Sequence, residues 1–241
     1  MNNQLNIPVG ISDFKKIREN DYYYIDKSGL IKELLKRESA EVTLITRPRR
    51  FGKTMGMSML AHFFNIRSDN RRLFDGLEIT RDEVLCGAWM NQYPVVFLTL
   101  KDIDGLTFED AYERLAVQIS NLYKEHAYLL ESERMDSDDR TLFKELESGS
   151  AGKIQVGQSL HTMSTALKDN TALRFAVITG CLKIAKESIF IGTNNFVSDN
   201  ITDSRFNEYF GFTQEEDYDQ IFGYGIAFFK KRCLLKKTEQ K

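Results

Sequence analysis

The chain has 241 residues, of which 42% are hydrophobic and 28% are charged, so an ordinary globular domain with a real core is possible. The net charge of −2 excludes a bulk charge bias towards nucleic acid or membrane surfaces. No apolar run approaches the roughly 18 residues of a membrane span. The amino terminus lacks a signal-peptide layout, and the three cysteines form no CxxC pair. We therefore expect a cytoplasmic protein without a membrane partner.

The first predicted elements lie before residue 47. Residues 22–25 have strand character, and Ser28 is placed to cap a helix. Residues 42–46 form a short β-branched run, which predicts a buried strand. The helix after Ser28 is expected to bury one apolar side, formed by Leu30, Ile31, Leu34 and Leu35.

A phosphate-binding loop is predicted directly after the strand over 42–46. Residues 46–55 read TRPRRFGKTM, and residues 53–66 have apolar side chains at helical spacing. The P-loop pattern G-x-x-x-x-G-K-[ST] requires a strand before it and a helix after it, and this stretch has both. Arg47 stands where the pattern has its first glycine, and Pro48 can stiffen that turn instead.

Each residue at the end of the loop has a chemical role in this interpretation. Gly52 lets the backbone approach phosphate closely, Lys53 neutralises the β- and γ-phosphates, and the Thr54 hydroxyl binds Mg²⁺. Phe51 is interpreted as a packing residue rather than as an adenine platform. Three further residues are expected to add positive charge nearby: Arg47, Arg49 and Arg50. The alternative is a chance Gly-Lys-Thr in a solvated basic turn.

A second apolar strand is predicted over residues 93–100, shortly before Asp102. Thr107 and Asp110 have the spacing of a capping box and predict the start of a long helix. The buried face of that helix is expected to contain Ala111, Leu115, Ile119 and Leu122.

Three more elements are predicted towards the carboxyl terminus. Residues 141–146 and 158–169 have helical character, and residues 173–180 read as a third strand. Strands that alternate with helices favour an α/β fold with a mostly parallel sheet.

Five stretches of the chain resemble bacterial AAA-ATPase-like proteins. They read IPVGISDFKKIRENDYYYIDKSGLIKELL, TLITRPRRFGKTMGMSMLAHFF, YPVVFLTLKDI, RFAVITGCLKIAKESIFIGTNNF and ITDSRFNEYFGFT. In that family a P-loop ATPase domain precedes a PD-(D/E)XK-type nuclease domain. The resemblance implies a P-loop NTPase-like three-layer α/β fold, with ATP and Mg²⁺ as cofactors. It implies a nucleotide-binding set that consists of Pro48, Arg49, Arg50, Phe51, Gly52, Lys53 and Thr54, with Thr54 also at the metal.

The chain departs from the family pattern at two places. The family has a Walker B strand ending in Asp-Glu before the strand over 173–180, and nothing here reads that way. We therefore expect an internal deletion near residues 160–165. Residues 217–241 resemble the extreme end of the nuclease domain, so the predicted domains are an ATPase-like domain over 1–216 and a nuclease remnant over 217–241. A natural deletion, a gene-prediction artefact and an artificially trimmed chain fit these gaps equally well.

Three residues are candidates for catalysis. By resemblance, Thr179 ends the strand after Walker B and is placed to sense the γ-phosphate, although it can equally be structural. Arg205 is a candidate sensor or finger arginine, and the alternative is an ion pair with Glu208. Asp102 would approach Mg²⁺ if the strand over 93–100 closed up beside the Thr179 strand; otherwise it is a solvated loop carboxylate.

Three functions are compatible with the sequence. The first is an ATP-binding protein of the AAA-like class with weak or absent hydrolysis. The second is a non-enzymatic remnant, and the third is a DNA-associated module whose nucleic-acid partner follows from the family's nuclease domain. Nuclease activity is not expected, because no Asp…Glu-x-Lys set follows Glu216. The sequence leaves the oligomeric state open.

Overall fold

The structure is a computed structural model that describes residues 6–36, 42–101, 103–131, 137–159, 175–181 and 196–213. The chain divides into two compact units, one formed by Met1–Gln92 with Val177–Lys241 and the other by Tyr93–Ala176. The predicted deletion near 160–165 and the predicted domain boundary after residue 216 lie outside the described residues.

A small parallel three-stranded sheet organises the first unit. Its strands are β1 (Val42–Thr46), β2 (Ala176–Gly180) and β3 (Phe196–Asp199), in the order β2-β1-β3. β1 and β3 are parallel, and Ile45 lies opposite Asp199. Every residue of β1 is buried, as expected for a strand with a neighbour on each side. The predicted strand over 42–46 is confirmed as β1, and β2 confirms the strand predicted within 173–180.

Four α-helices accompany this sheet in the described part of the first unit. They are α1 (Phe14–Glu19), α2 (Gly29–Leu35), α3 (Lys53–Phe64) and α4 (Glu83–Trp89), and short 3₁₀ turns cover 71–74, 78–81 and 207–209. α3 confirms the helix predicted after the phosphate loop.

The core of this unit is an aromatic cluster between α1 and α3. Phe14, Phe63 and Phe74 are fully buried, and the rings of Phe14 and Phe63 lie 5.0 and 5.3 Å from the ring of Phe74. Such pairs contribute about 0.5–1.5 kcal/mol each beyond the burial of their area. The cluster therefore anchors α3, the helix that follows the predicted phosphate loop.

Two local predictions before residue 42 are wrong. Residues 22–25 form no strand, because Tyr23 donates its backbone N–H to Asn6 O at 2.8 Å and the Tyr24 hydroxyl packs 3.4 Å from Met59 Sδ. These half-buried tyrosines are held by irregular packing rather than by strand pairing.

Ser28 makes no capping bond to α2. Its Oγ instead accepts the Ile79 N–H at 3.1 Å and ties α2 to the turn over 78–81. The predicted apolar side of α2 is nevertheless buried at Leu30, Ile31 and Leu34.

The second unit is mainly helical in its described residues from 108 to 159. It contains α5 (Phe108–Glu125), α6 (Ser137–Ser148) and helical residues 153–159, whose common core is Ile119, Leu146 and Val156. The predicted capping box is confirmed, because Asp110 N donates to Thr107 Oγ1 at 3.2 Å and Thr107 N donates to Asp110 Oδ2 at 3.1 Å. α6 contains the helix predicted over 141–146. Most of the helix predicted over 158–169 lies outside the described residues. No helix in the described part of either unit has the length and apolar character needed to cross a membrane.

The strand predicted over residues 93–100 is wrong. Residues 94–100 form no regular element, and Val96 and Leu100 are 60% and 62% exposed. Apolar composition gives a segment strand propensity, but only pairing stabilises a strand. The alternative in which this segment closes up beside the Thr179 strand requires a strand here, and residues 94–100 form none. Asp102, which the closure was to bring to Mg²⁺, lies outside the described residues.

Two asparagines close the carboxyl end of α3. The Asn91 side chain donates to His62 O at 3.2 Å and to Asn65 O at 2.9 Å, and its backbone N–H donates to Phe63 O at 2.7 Å. The Asn70 side chain also donates to His62 O, at 3.0 Å. Asn91 has a φ of 56°, a left-handed conformation that asparagine tolerates better than most residues.

Replacing Asn91 should destabilise the first unit. Asn91→Ala removes the side-chain bonds to His62 O and Asn65 O and also strains the backbone, so we expect a loss of about 2–4 kcal/mol in the free energy of unfolding. Asn91→Gly keeps the backbone freedom and should lose only the hydrogen-bond part. Urea denaturation of both variants measures this, with exposed Asn207→Ala as the control. Equal stability of Asn91→Ala and Asn207→Ala would contradict the capping role.

Candidate nucleotide-binding site

The predicted phosphate loop connects the central strand to α3. β1 ends at Thr46 and α3 begins at Lys53, so residues 47–52 lie at the carboxyl end of β1. Ligands of open α/β sheets bind beyond the carboxyl ends of strands, where connections leave to opposite sides. β1 has β2 on one side and β3 on the other, so the loop leaves the sheet at its central strand.

The backbone of the loop alternates in handedness just before α3. Arg50 and Gly52 have φ values of 70° and 74°, whereas Phe51 between them does not have a positive φ. Alternating handedness of this kind turns successive N–H groups to one side. A left-handed Arg50 is strained, and strain of this type concentrates at functional sites.

The amino end of α3 adds its own donors. Gly52 is the N-cap residue and supplies no side-chain bond to the first turn. The first N–H groups of a helix have no intrahelical partner, and the helix dipole makes this end favourable for negative charge. α3 is 12 residues long, which is enough for both effects.

The Lys53 side chain is folded onto the loop. Its Nζ donates to Arg47 O at 2.8 Å and to Pro48 O at 2.6 Å. Pro48 is exposed, as are four other residues of the predicted set: Arg49, Arg50, Gly52 and Thr54. The ammonium therefore lies inside the turn that the loop encloses, and the Thr54 hydroxyl is accessible at the start of α3.

Arg47 does not add positive charge to the surface of the loop, so this expectation is wrong. The residue is 1% exposed. Its Nη2 forms an ion pair with Asp199 Oδ1 at the end of β3, and its Nη1 donates to Thr46 O at 2.9 Å and to Asp199 O at 3.3 Å. The ring of Phe210 lies 5.5 Å from the guanidinium carbon. The charge of Arg47 is neutralised inside the fold.

Asp199 is a site residue that the sequence prediction missed. The only local signal is a carboxylate at the end of the short apolar run Phe196–Val197. Burial raises the pKa of Asp199, and the hydrogen bond and charge of Arg47 oppose this rise. The next carboxylate along the chain, Asp203, accepts the Asn200 N–H at 2.8 Å. The carboxylate that ends β3 and the next one along the chain are thus both engaged.

Thr179 lies beside the start of the loop. It is half-buried in β2, and its neighbour Gly180 accepts the Arg47 N–H at 3.1 Å. The structure therefore brings the end of β2 next to the loop, as the sensor interpretation requires. The role of Thr179 remains a prediction.

Arg205 is bound to Glu33 rather than to the expected Glu208. Its Nε donates to Glu33 Oε1 at 2.9 Å and its Nη2 to Glu33 O at 2.6 Å. Burial opposes ionisation of Glu33, but hydrogen bonds from Lys36 and Arg205 leave its pKa below the ordinary value. Arg205 is thereby fixed to the last turn of α2, and any catalytic use of it requires release from Glu33.

Phe51 packs against the backbone of Gly211, as its interpretation as a packing residue predicts. A Cβ added at Gly211 would lie 3.2 Å from Cδ1 of the Phe51 ring, and Gly211 has a φ of 82°. Phe210 meanwhile faces Gly56 of α3, where an added Cβ would lie 3.5 Å from its ring. Residues 210–211 therefore cover one side of the loop and of α3.

Comparison with known proteins identifies the family. The sequence model of the AAA-ATPase-like family, described as a predicted AAA-ATPase, matches residues 8–158, which is more than half of the chain. The chain therefore belongs to the AAA-ATPase-like family. Members of this class are expected in general to use a nucleotide and a metal.

One similar curated protein is an uncharacterized protein in the vnfD 5′ region of Azotobacter chroococcum mcd 1. It is 31% identical over 241 residues, and the match covers 90% of this chain and 44% of that protein. The chain therefore spans less than half the length of this relative. No solved structure matches the chain.

The contact between Phe51 and Gly211 can be tested with a matched pair of glycines. Gly10 and Gly211 both have positive φ, but an added Cβ meets nothing within 4 Å at Gly10. Both alanine variants should lose about 1–2 kcal/mol from backbone strain. Gly211→Ala should lose roughly 1 kcal/mol more because its methyl group overlaps the ring.

Chemical denaturation measures the free energy of unfolding of both variants. Adding Phe51→Leu to Gly211→Ala should recover the extra loss of stability that is due to the ring. Equal destabilisation at Gly10 and Gly211, with no recovery, would mean that the ring does not rest on Gly211.

Proposed function

We propose that the protein binds ATP with Mg²⁺ at the loop over 47–52 and the first turn of α3, and that it hydrolyses ATP slowly or not at all. One observation supports this most directly. The loop begins at the carboxyl end of the central parallel strand β1. Arg50 and Gly52 have left-handed backbones just before α3, and the Lys53 ammonium is folded onto the loop. Family membership supports nucleotide use in general.

The residues present fit a nucleotide triphosphate. The N–H groups of the loop and of the first turn of α3 would hold the phosphate oxygens. Lys53 would exchange the carbonyls of Arg47 and Pro48 for the β- and γ-phosphates. The exposed Thr54 hydroxyl would bind Mg²⁺, and the metal would neutralise the triphosphate charge. Exposed Arg49 and Arg50 add positive potential beside the loop.

Hydrolysis needs more than this arrangement supplies. A carboxylate must help to hold Mg²⁺, and a polar group must orient the attacking water. β1 and β2 lead into Arg47 and Cys181, which have no carboxylate. Asp199 and Asp203 follow β3, but they are engaged by Arg47 and by the Asn200 N–H. The proposal includes the absence of the family's Walker B strand through a deletion near residues 160–165, which lie outside the described part of the chain.

ATP binding should depend on Lys53. Mg-ATP at about 100 times its Kd should stabilise the wild-type protein by roughly 2.7 kcal/mol, visible as a rise in Tm. Lys53→Ala should lose most of this rise, because only backbone dipoles and exposed arginines then face the phosphates. Lys15→Ala, which removes an exposed lysine in an i,i+4 pair with Glu19, is the matched control and should keep it. The proposal fails if Mg-ATP shifts neither wild type nor the control.

Turnover should be very slow. The steady-state rate of phosphate release by the wild-type soluble protein should be close to that of Lys53→Ala, the variant that measures background release. Asp102→Asn should change little, since residues 94–100 form no strand that would carry Asp102 to the sheet. Robust release that Lys53→Ala abolishes would contradict the slow-turnover part of the proposal. Loss of robust phosphate release in Asp102→Asn would identify Asp102 as the missing acid.

A further inference from the structure

Arg47 connects the ends of all three strands to α3. Its backbone N–H donates to Gly180 O of β2 at 3.1 Å, and its side chain binds Asp199 of β3. Its carbonyl accepts the Lys53 Nζ at 2.8 Å. The first residue of the loop is therefore held from two sides while it holds the lysine of the predicted phosphate site.

The guanidinium is fixed in its plane and shielded from water. Nη1 is bound by the carbonyls of Thr46 and Asp199, Nη2 by the Asp199 carboxylate, and the Phe210 ring lies over the group. The paired side chains are 1% and 4% exposed. Only a planar fork of donors can bind two carbonyls and a carboxylate in this way, so lysine is not an equivalent replacement.

A buried ion pair of this kind is weak evidence for a contribution to stability. Buried ion pairs lose so much hydration that apolar side chains of similar volume often give an equally stable or more stable protein. Arg47 Nε is also buried without a hydrogen-bond partner, which is a further unfavourable contribution. A costly buried pair at the base of a binding loop is explained by what it positions.

We infer that Arg47 and Asp199 are positioning residues for the nucleotide loop. The pair replaces the flexible first glycine of the P-loop pattern with a fixed corner. It sets the direction in which the chain leaves β1 and thereby the position of the carbonyl that holds Lys53. This inference rests on the proposed ATP site, and it adds the device that keeps the loop in its binding conformation.

Removing both charges together separates positioning from stability. Arg47→Met/Asp199→Leu replaces the pair by apolar side chains, so its Tm should stay near that of wild type. Its Kd for Mg-ATP, measured by isothermal titration calorimetry, should rise about tenfold or more, because a binding group displaced by about 1 Å loses most of its effect. A pair with only a structural role would leave the Kd unchanged at equal Tm.

A second variant decides the question if the double variant does not fold. Arg47→Lys keeps the positive charge beside Asp199 but removes the planar fork, and its Kd should also rise about tenfold. Asp199→Asn keeps an oxygen acceptor for Arg47, so this variant should bind Mg-ATP more tightly than Arg47→Lys does.

The possible results distinguish this inference from the proposed function. If the folded double variant or Arg47→Lys binds Mg-ATP with wild-type affinity, the positioning role is overturned but the proposed ATP site is not. Failure of the wild-type protein itself to bind Mg-ATP overturns both. Both proposals are supported if the wild-type protein binds Mg-ATP, Lys53→Ala does not, and the variants at Arg47 and Asp199 bind Mg-ATP more weakly.

Discussion

The buried charge of Arg47 is the constraint around which the loop and the sheet are arranged. A guanidinium that is 1% exposed must be neutralised, and Asp199 supplies the opposite charge from the end of β3. Asp199 lies opposite Ile45 in the parallel register. Because side chains alternate between the faces of a strand, a slip of one residue in β3 would turn Asp199 away from Arg47. The ion pair therefore helps to specify which register β3 adopts.

The sequence predicts the elements whose signals are local. The β-branched run of β1, the glycine before α3 and the capping box at Thr107 and Asp110 are each read from a few neighbouring residues, and each is found. Asp199 is missed because it is 152 residues from Arg47, and no local pattern connects them. The strand predicted over 93–100 fails for a related reason: apolar side chains indicate a preference for burial but do not name a pairing partner.

α3 is held by its buried side chains and at its carboxyl end, which matters for a site built on its first turn. Its buried side chains include Met59 and Phe63, and the side chain of Asn91 binds carbonyls at its carboxyl end. Binding groups on a rigid element keep their positions better than groups on an unsupported loop. The strained φ of Arg50 is sustained in the same way, because the anchored helix and the buried Arg47 fix both ends of the loop.

Binding and hydrolysis depend on different parts of such a fold, so one can persist without the other. Phosphate binding uses N–H groups and a lysine that lie together in one short stretch of sequence, and β1 and α3 suffice to position them. Hydrolysis also needs carboxylates from separate strands. Asp199 is well placed by its strand, but its charge is already balanced by Arg47. A carboxylate that neutralises a buried arginine is not free to bind Mg²⁺ or orient water, since either use would leave the guanidinium buried and unpaired. Arg47 thus engages the carboxylate at the end of β3.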